Sequence, residues 1–194
     1  MSTAVKLATY RDLLALPESA RAEVLAGALV MSPAPLPRHS HVQRTAGRFL
    51  GGPFQDDEGA GGPGGWWIFP EVDVALGAHD VVRPDVAGWR KERLPKPGQQ
   101  RPIEVVPDWV CEILSPSTAA RDRVQKRHLY ARTGVRYYWL IDPDARVLEA
   151  LELKDGVWIE NGVYDETHTA RIVPFDAIEL AVTRFFLPRE ADEA

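Results

Sequence analysis

The 194-residue sequence is 45% apolar and 26% charged, long enough for one domain with a full core. No run approaches the ~18 uninterrupted apolar residues of a membrane-spanning helix. No basic segment followed by an apolar one marks a secretory signal, so a cytoplasmic location is expected. The formal charge of -5 does not advertise nucleic-acid binding, and the single cysteine, Cys111, excludes an internal disulfide framework and a multi-cysteine zinc site.

In chain order, Thr9 to Leu16 predicts a short helix stopped at Pro17. Ala22 to Met31 predicts two short strands around Gly27, a hairpin. A loop punctuated by Pro33, Pro35 and Pro37 follows, then a helix from about His41 to Leu50 with Val42, Ala46, Phe49 and Leu50 as its apolar stripe. The glycines of Gly51 to Gly65 predict a mobile loop. Trp66 to Leu76 predicts a strand with Glu71 and Asp73 on one face and Val72 and Val74 on the other. Val81 to Trp89 predicts the next strand, carrying Arg83-Pro84-Asp85, and Arg90 to Val106 is a basic, proline-rich connection. Trp109 to Leu114 is an apolar run interrupted by Glu112 and ended by Pro116, which reads as a buried strand. Ser117 or Thr118 then caps a helix running to about Thr133, with Gly134 suited to a left-handed terminus. Arg136 to Ile141 and Arg146 to Leu153 are predicted strands, Asp155-Gly156 and Asn161-Gly162 are hairpin signals, and Ile172 to Leu187 predicts a strand and a short helix. Strands, one helix, then a strand that must pair with the earlier ones give a mixed α/β sheet with one crossover helix.

A carboxylate inside a buried strand is costly without a cation, so Glu112 demands one. Asp85 lies on the preceding predicted strand, and successive strands tend to be neighbours. Two carboxylates meeting in a core repel unless a hard cation lies between them, which suits Mg²⁺ or Mn²⁺ with open water positions. Lys126 shares a helical face with Leu129 and Tyr130, which directs its ammonium inward, where it orients or deprotonates an attacking water. Its alternative is a surface pair with Asp122 at i,i+4. Arg121, Arg123, Lys126, Arg127, Arg132 and Arg136 against the single Asp122 form a basic run, either a phosphate-facing surface or a solvated helix face. His39 at a helix start, and Tyr130 and Trp139 in apolar surroundings, have structural roles as their ordinary expectation. Cys111 points away from Glu112 by strand alternation, as an inert buried thiol.

Pro84-Asp85, Glu112-Ile113-Leu114-Ser115-Pro116-Ser117, Asp122, Lys126, Tyr130, Gly134-Val135, Tyr138-Trp139 and Ile141-Asp142 together resemble the Uma family of restriction endonucleases, a branch of the PD-(D/E)XK nuclease superfamily. The resemblance runs from about Leu25 to Leu153 and takes in Met31-Ser32-Pro33, His39 and Pro70-Glu71-Val72-Asp73-Val74. It implies a restriction-endonuclease-like domain over residues 1–194, with a nuclease core at about 40–142. The fold implied is a central mixed β-sheet flanked by helices, with extra N- and C-terminal hairpins. A divalent metal, Mg²⁺ or Mn²⁺, would be held by Asp85, Glu112 and the backbone carbonyl of Ile113. Lys126 would activate water, and Glu71 is similar to an additional acid near such sites, with Asp73 on the same strand face as its alternative. In the superfamily the lysine stands two residues after the second acid; here that slot is Leu114, and Lys126 on the following helix takes its place. The turn Ala26-Gly27-Ala28 lacks the acids the family carries there. The function implied is metal-dependent hydrolysis of DNA phosphodiester bonds, by a homodimer because two strands need two sites. Its rival is a catalytically silent binding or interaction module on a nuclease fold.

Overall fold

The structure, a computed structural model, describes residues 6–56 and 62–189. The short helix α1 (Tyr10–Leu14) precedes a hairpin of β1 (Ala22–Leu25) and β2 (Ala28–Met31). Its two-residue turn, Ala26 and Gly27, has φ of 49° and 77°, the positive values that match the twist of paired strands.

Helix α2 (Pro37–Gln55) is longer than the sequence predicts at both ends. Pro37 stands at its start, where a missing N–H removes no helical bond. At the other end burial overrides the weak propensity of Gly51, Gly52 and Pro53, because Leu50 and Phe54 are sealed in the core. The predicted loop therefore begins as helix, and its middle, residues 57–61, lies outside the described residues.

The two long strands predicted next are each broken. The first is divided into β3 (Trp66–Pro70) and β4 (Val74–Gly77), and the second into β5 (Asp80–Val82) and β6 (Val86–Arg90). Glu71, at φ 49°, ends the pleat in one, and Pro84, which cannot donate to a ladder, stands in the gap of the other. Asp73 and Arg83, one from each break, pair at 2.7 Å and tie the two bends together. The hairpin thus leaves one sheet and enters another.

The remaining elements are β7 (Trp109–Ile113), a π-helical turn (Arg121–Lys126) continuing as α3 (Arg127–Thr133), β8 (Tyr137–Asp142), β9 (Val147–Lys154) and β10 (Val157–Asp165). The short strands β11 (Thr169–Ala170) and β12 (Leu180–Ala181) pair with each other. The central sheet has the order β10-β9-β8-β7-β6-β3 and a smaller sheet the order β2-β1-β5-β4. In the central sheet only β7 and β8 are parallel, and the π turn with α3 is their crossover. This is the mixed α/β sheet with one crossover helix read from the sequence. Asp155-Gly156 forms its turn, with φ of 51° and 77°, whereas Asn161-Gly162 forms none: β10 runs through it with a bulge between Glu160 and Gly162. An extra residue was absorbed within the ladder instead of reversing the chain. The segment predicted as a last strand and helix contains β12 and a 3-10 turn, Val182–Phe185.

Apolar clusters cover both faces of the central sheet. One gathers Trp66, Trp109, Trp139 and Phe175 beneath α2, with Trp109 and Trp139 edge-to-face at 5.3 Å. The other gathers Val110, Leu129, Tyr130 and Tyr138 beneath α3. Along β7 the residues alternate: Trp109, Cys111 and Ile113 serve the first cluster, so Glu112 is directed to the face of the crossover helix. Among the described residues no helix is long and apolar enough to cross a membrane.

Candidate active site

Three elements bring Asp85, Glu112 and Lys126 to one cavity of about 350 Å³. Val86 pairs with Cys111 in the ladder, and antiparallel register carries Asp85 to the level of Glu112. Asp85 is then fixed from three sides. Its Oδ2 accepts the Ile113 N–H at 2.7 Å, and Nε2 of His39 lies 3.2 Å from Oδ1. The Gln43 amide donates to its carbonyl at 3.0 Å. His39 and Gln43 stand four apart on α2, so one helical face clamps the strand break.

Glu112 and Lys126 are each only 3% exposed. Lys126 Nζ lies 2.9 Å from Glu112 Oε1, and the Tyr130 hydroxyl, one helical turn further on, donates to the same oxygen at 2.5 Å. Two acids complete the lysine's surroundings. Glu23 from β1 lies at 2.8 Å and also accepts the Arg83 N–H at 2.8 Å, while Asp122 lies at 3.8 Å. The pair with Asp122 is thus buried, not a surface one.

The charge balance follows from this packing. Burial disfavours the Lys126 ammonium, but Glu112, Glu23 and Asp122 outweigh it and raise its pKa above the ordinary lysine value. Burial pushes the Glu112 carboxyl well up against the pull of Lys126, and Asp122, Asp85 and Glu23 add to the rise. Burial likewise raises Asp122, and Tyr130 is raised by burial and by Glu112. One ammonium therefore serves more buried acid than it neutralises. Oδ1 of Asp122 is buried without a hydrogen-bond partner.

Other predicted residues lie elsewhere. Glu71 pairs with Arg21 and does not line the cavity, although Arg21 does. Asp73 is buried beside Arg83 and Tyr10 because the strand break separates it from Glu71. Trp139 is core, donating to the Val173 carbonyl at 2.7 Å, and Cys111 is a fully buried thiol whose pKa burial raises. The basic run does not form one surface: Arg123 pairs with Glu149, Arg132 with Asp80 and Arg136 with Glu152. Only Arg121 and Lys126 of that run line the cavity. Glu23 was missed by sequence reasoning, yet it carried the signal that marked Glu112, an acid inside the short apolar run Ala22–Leu25.

No three His, Cys, Asp or Glu side chains among the described residues converge closely enough to hold a metal by themselves. The carboxylates of Asp85 and Glu112, at one level of the sheet and lining one cavity, are nonetheless the hard oxygen donors a divalent cation takes.

A profile of the Uma2 family, described as "Putative restriction endonuclease", matches residues 7–183. Among solved structures, the chain is similar to the crystal structure of "a putative nuclease belonging to DUF820 from Anabaena variabilis ATCC 29413". The identity is 24% and the TM-score 0.72, over 92% of this chain and 97% of that one, a likeness of fold. No curated protein matches the sequence. With nearly its whole length matched by the family profile, the chain belongs to the Uma2 family.

Proposed function

We propose that this protein is a divalent-metal-dependent endonuclease that hydrolyses phosphodiester bonds in DNA. The observation that carries the reading is the meeting of Asp85, Glu112 and Lys126 in one cavity from the break before β6, from β7 and from the crossover helix. Asp85, Glu112 and the Ile113 carbonyl would hold Mg²⁺ or Mn²⁺. Bound there, the cation supplies polarisation of the phosphoryl oxygens and a water of lowered pKa.

The chain's own groups supply the rest. The Ile113 N–H and His39 hold the Asp85 carboxylate in one orientation, and Tyr130 and Lys126 do the same for Glu112. Because its acids keep Lys126 protonated, it acts as a fixed positive charge that orients water and stabilises the developing phosphoryl charge. It does not take the proton. Glu71 contributes as counterion to the rim residue Arg21. Cutting both strands calls for two such sites, hence a homodimer on DNA.

The test is nicking of supercoiled plasmid with Mg²⁺ or Mn²⁺, comparing wild type with Asp85→Ala and Lys126→Ala and a chelator control. Metal-dependent nicking lost in both variants supports the reading. Activity that survives Asp85→Ala defeats it, and no nicking on a broad panel of DNA sequences favours a silent binding module.

A further inference from the structure

Four arginines line the cavity, and three of them are already neutralised. Arg21 pairs with Glu71, Arg38 with Asp144 at 2.8 Å and Arg83 with Asp73 at 2.7 Å. Arg121 differs. Among the described residues it has no carboxylate partner; its Nη2 donates to Ser32 Oγ at 2.7 Å and its Nη1 reaches the Met31 carbonyl at 3.5 Å. Its Nε is buried and has no acceptor. A buried donor left without an acceptor is costly, and a charged one more so.

The helix geometry explains how this guanidinium reaches the cavity. Arg121 and Lys126 are five residues apart, and in an α-helix such residues project about 140° apart. The turn that joins them is π-helical, and its wider i→i+5 spacing returns both to one face. Ser115, Ser117 and Thr118 line the same cavity, their hydroxyls linked at 3.1 Å and 3.0 Å through Ser115. A guanidinium without a carboxylate partner and a cluster of hydroxyls lining one cavity match an anionic tetrahedral oxygen group.

We propose that Arg121, with the hydroxyls of Ser115, Ser117 and Thr118, forms a phosphate-binding subsite that grips the substrate backbone beside the metal-binding acids. The proposal rests on the nuclease reading, which supplies a phosphate as the anion. Arg121 is then a substrate-binding residue, and the π turn is the device that puts gripping and catalytic cations on one face.

The test is fluorescence anisotropy with a labelled DNA duplex in Ca²⁺, which blocks hydrolysis, over a series of KCl concentrations. A competition arm with a nucleoside monophosphate shows whether a polymer is needed. Wild type is compared with Arg121→Gln, Arg121→Lys and Ser32→Ala, each with its melting temperature. Arg121→Gln is expected to weaken binding about tenfold or more, and to lower the slope of log affinity against log salt by about 0.9. Arg121→Lys should restore the slope but only part of the affinity, and Ser32→Ala should keep the slope. If wild type binds the duplex and Arg121→Gln binds with unchanged affinity and slope, Arg121 is only a strut for the Ser32 loop and the proposal falls, whatever the melting temperature does. The nuclease reading survives that result. If wild type binds neither probe, both readings fall. An effect confined to the monophosphate keeps the subsite and overturns its assignment to a polymer backbone.

Discussion

An ammonium closed in among three carboxylates behaves unlike one in water, and Lys126 is such a group. Removing it leaves Glu23, Glu112 and Asp122 buried without their cation. Lys126→Met should therefore cost about 3–5 kcal/mol, measured as a shift of the urea midpoint at constant slope. Its raised pKa also sets a sign: its stabilising contribution is fully present below the unfolded value of 10.5 and lost only as pH rises through the higher folded value. A nicking rate that climbed between pH 8 and pH 10 in step with lysine deprotonation would contradict the role given to it here. Glu112 follows the same sign at a lower pH. Its folded pKa is raised above 4.5, so the native state binds the proton more readily and stability falls as pH climbs past the ordinary glutamate range. Glu112→Gln should flatten that decline in urea midpoints recorded from pH 5 upward.

At the level of elements, the site is made where regular structure is interrupted. Both long strands break, at Glu71 and at Pro84, and the break at Pro84 leaves Asp85 free to meet Ile113 and His39. The π turn is the third interruption. Gly134 closes the same helix at φ 83° with open space where a Cβ would stand. Gly134→Ala should thus cost about 1 kcal/mol from backbone conformation alone, with binding unchanged.

For the molecule as a whole, Glu23, Glu112 and Asp122 around one ammonium concentrate buried acid at one point of the core. A cation bound only by the folded state stabilises it by mass action, about 2.7 kcal/mol at a hundred times the dissociation constant. Mg²⁺ or Mn²⁺ should accordingly raise the melting temperature of wild type and leave that of Asp85→Ala unmoved. Equal shifts in both proteins would place the cation elsewhere.

The central sheet was legible because its signals are local: the apolar run of β7, the Gly134 terminus and the Asp155-Gly156 turn each act within a few residues. Glu112 was legible for the same reason, since an acid inside an apolar strand has no cheap place to go. Membership of the Uma2 family is likewise written in the sequence, as short motifs spread along residues 7–183. What required the tertiary structure was everything decided by partners distant in the chain. Nothing near Glu23 announces that β1 will lie against a helix about a hundred residues on, or that Tyr130 will anchor Glu112. Strand alternation placed Glu71 beside Asp73, but packing against a second sheet broke the strand and sent them to different arginines. The basic run read as one face because charge is visible in sequence and its neutralisation is not: Glu149, Asp80 and Glu152 reach it only through the fold. Local chemistry determined which residue types the site would need, and long-range packing decided which individual side chains supply them.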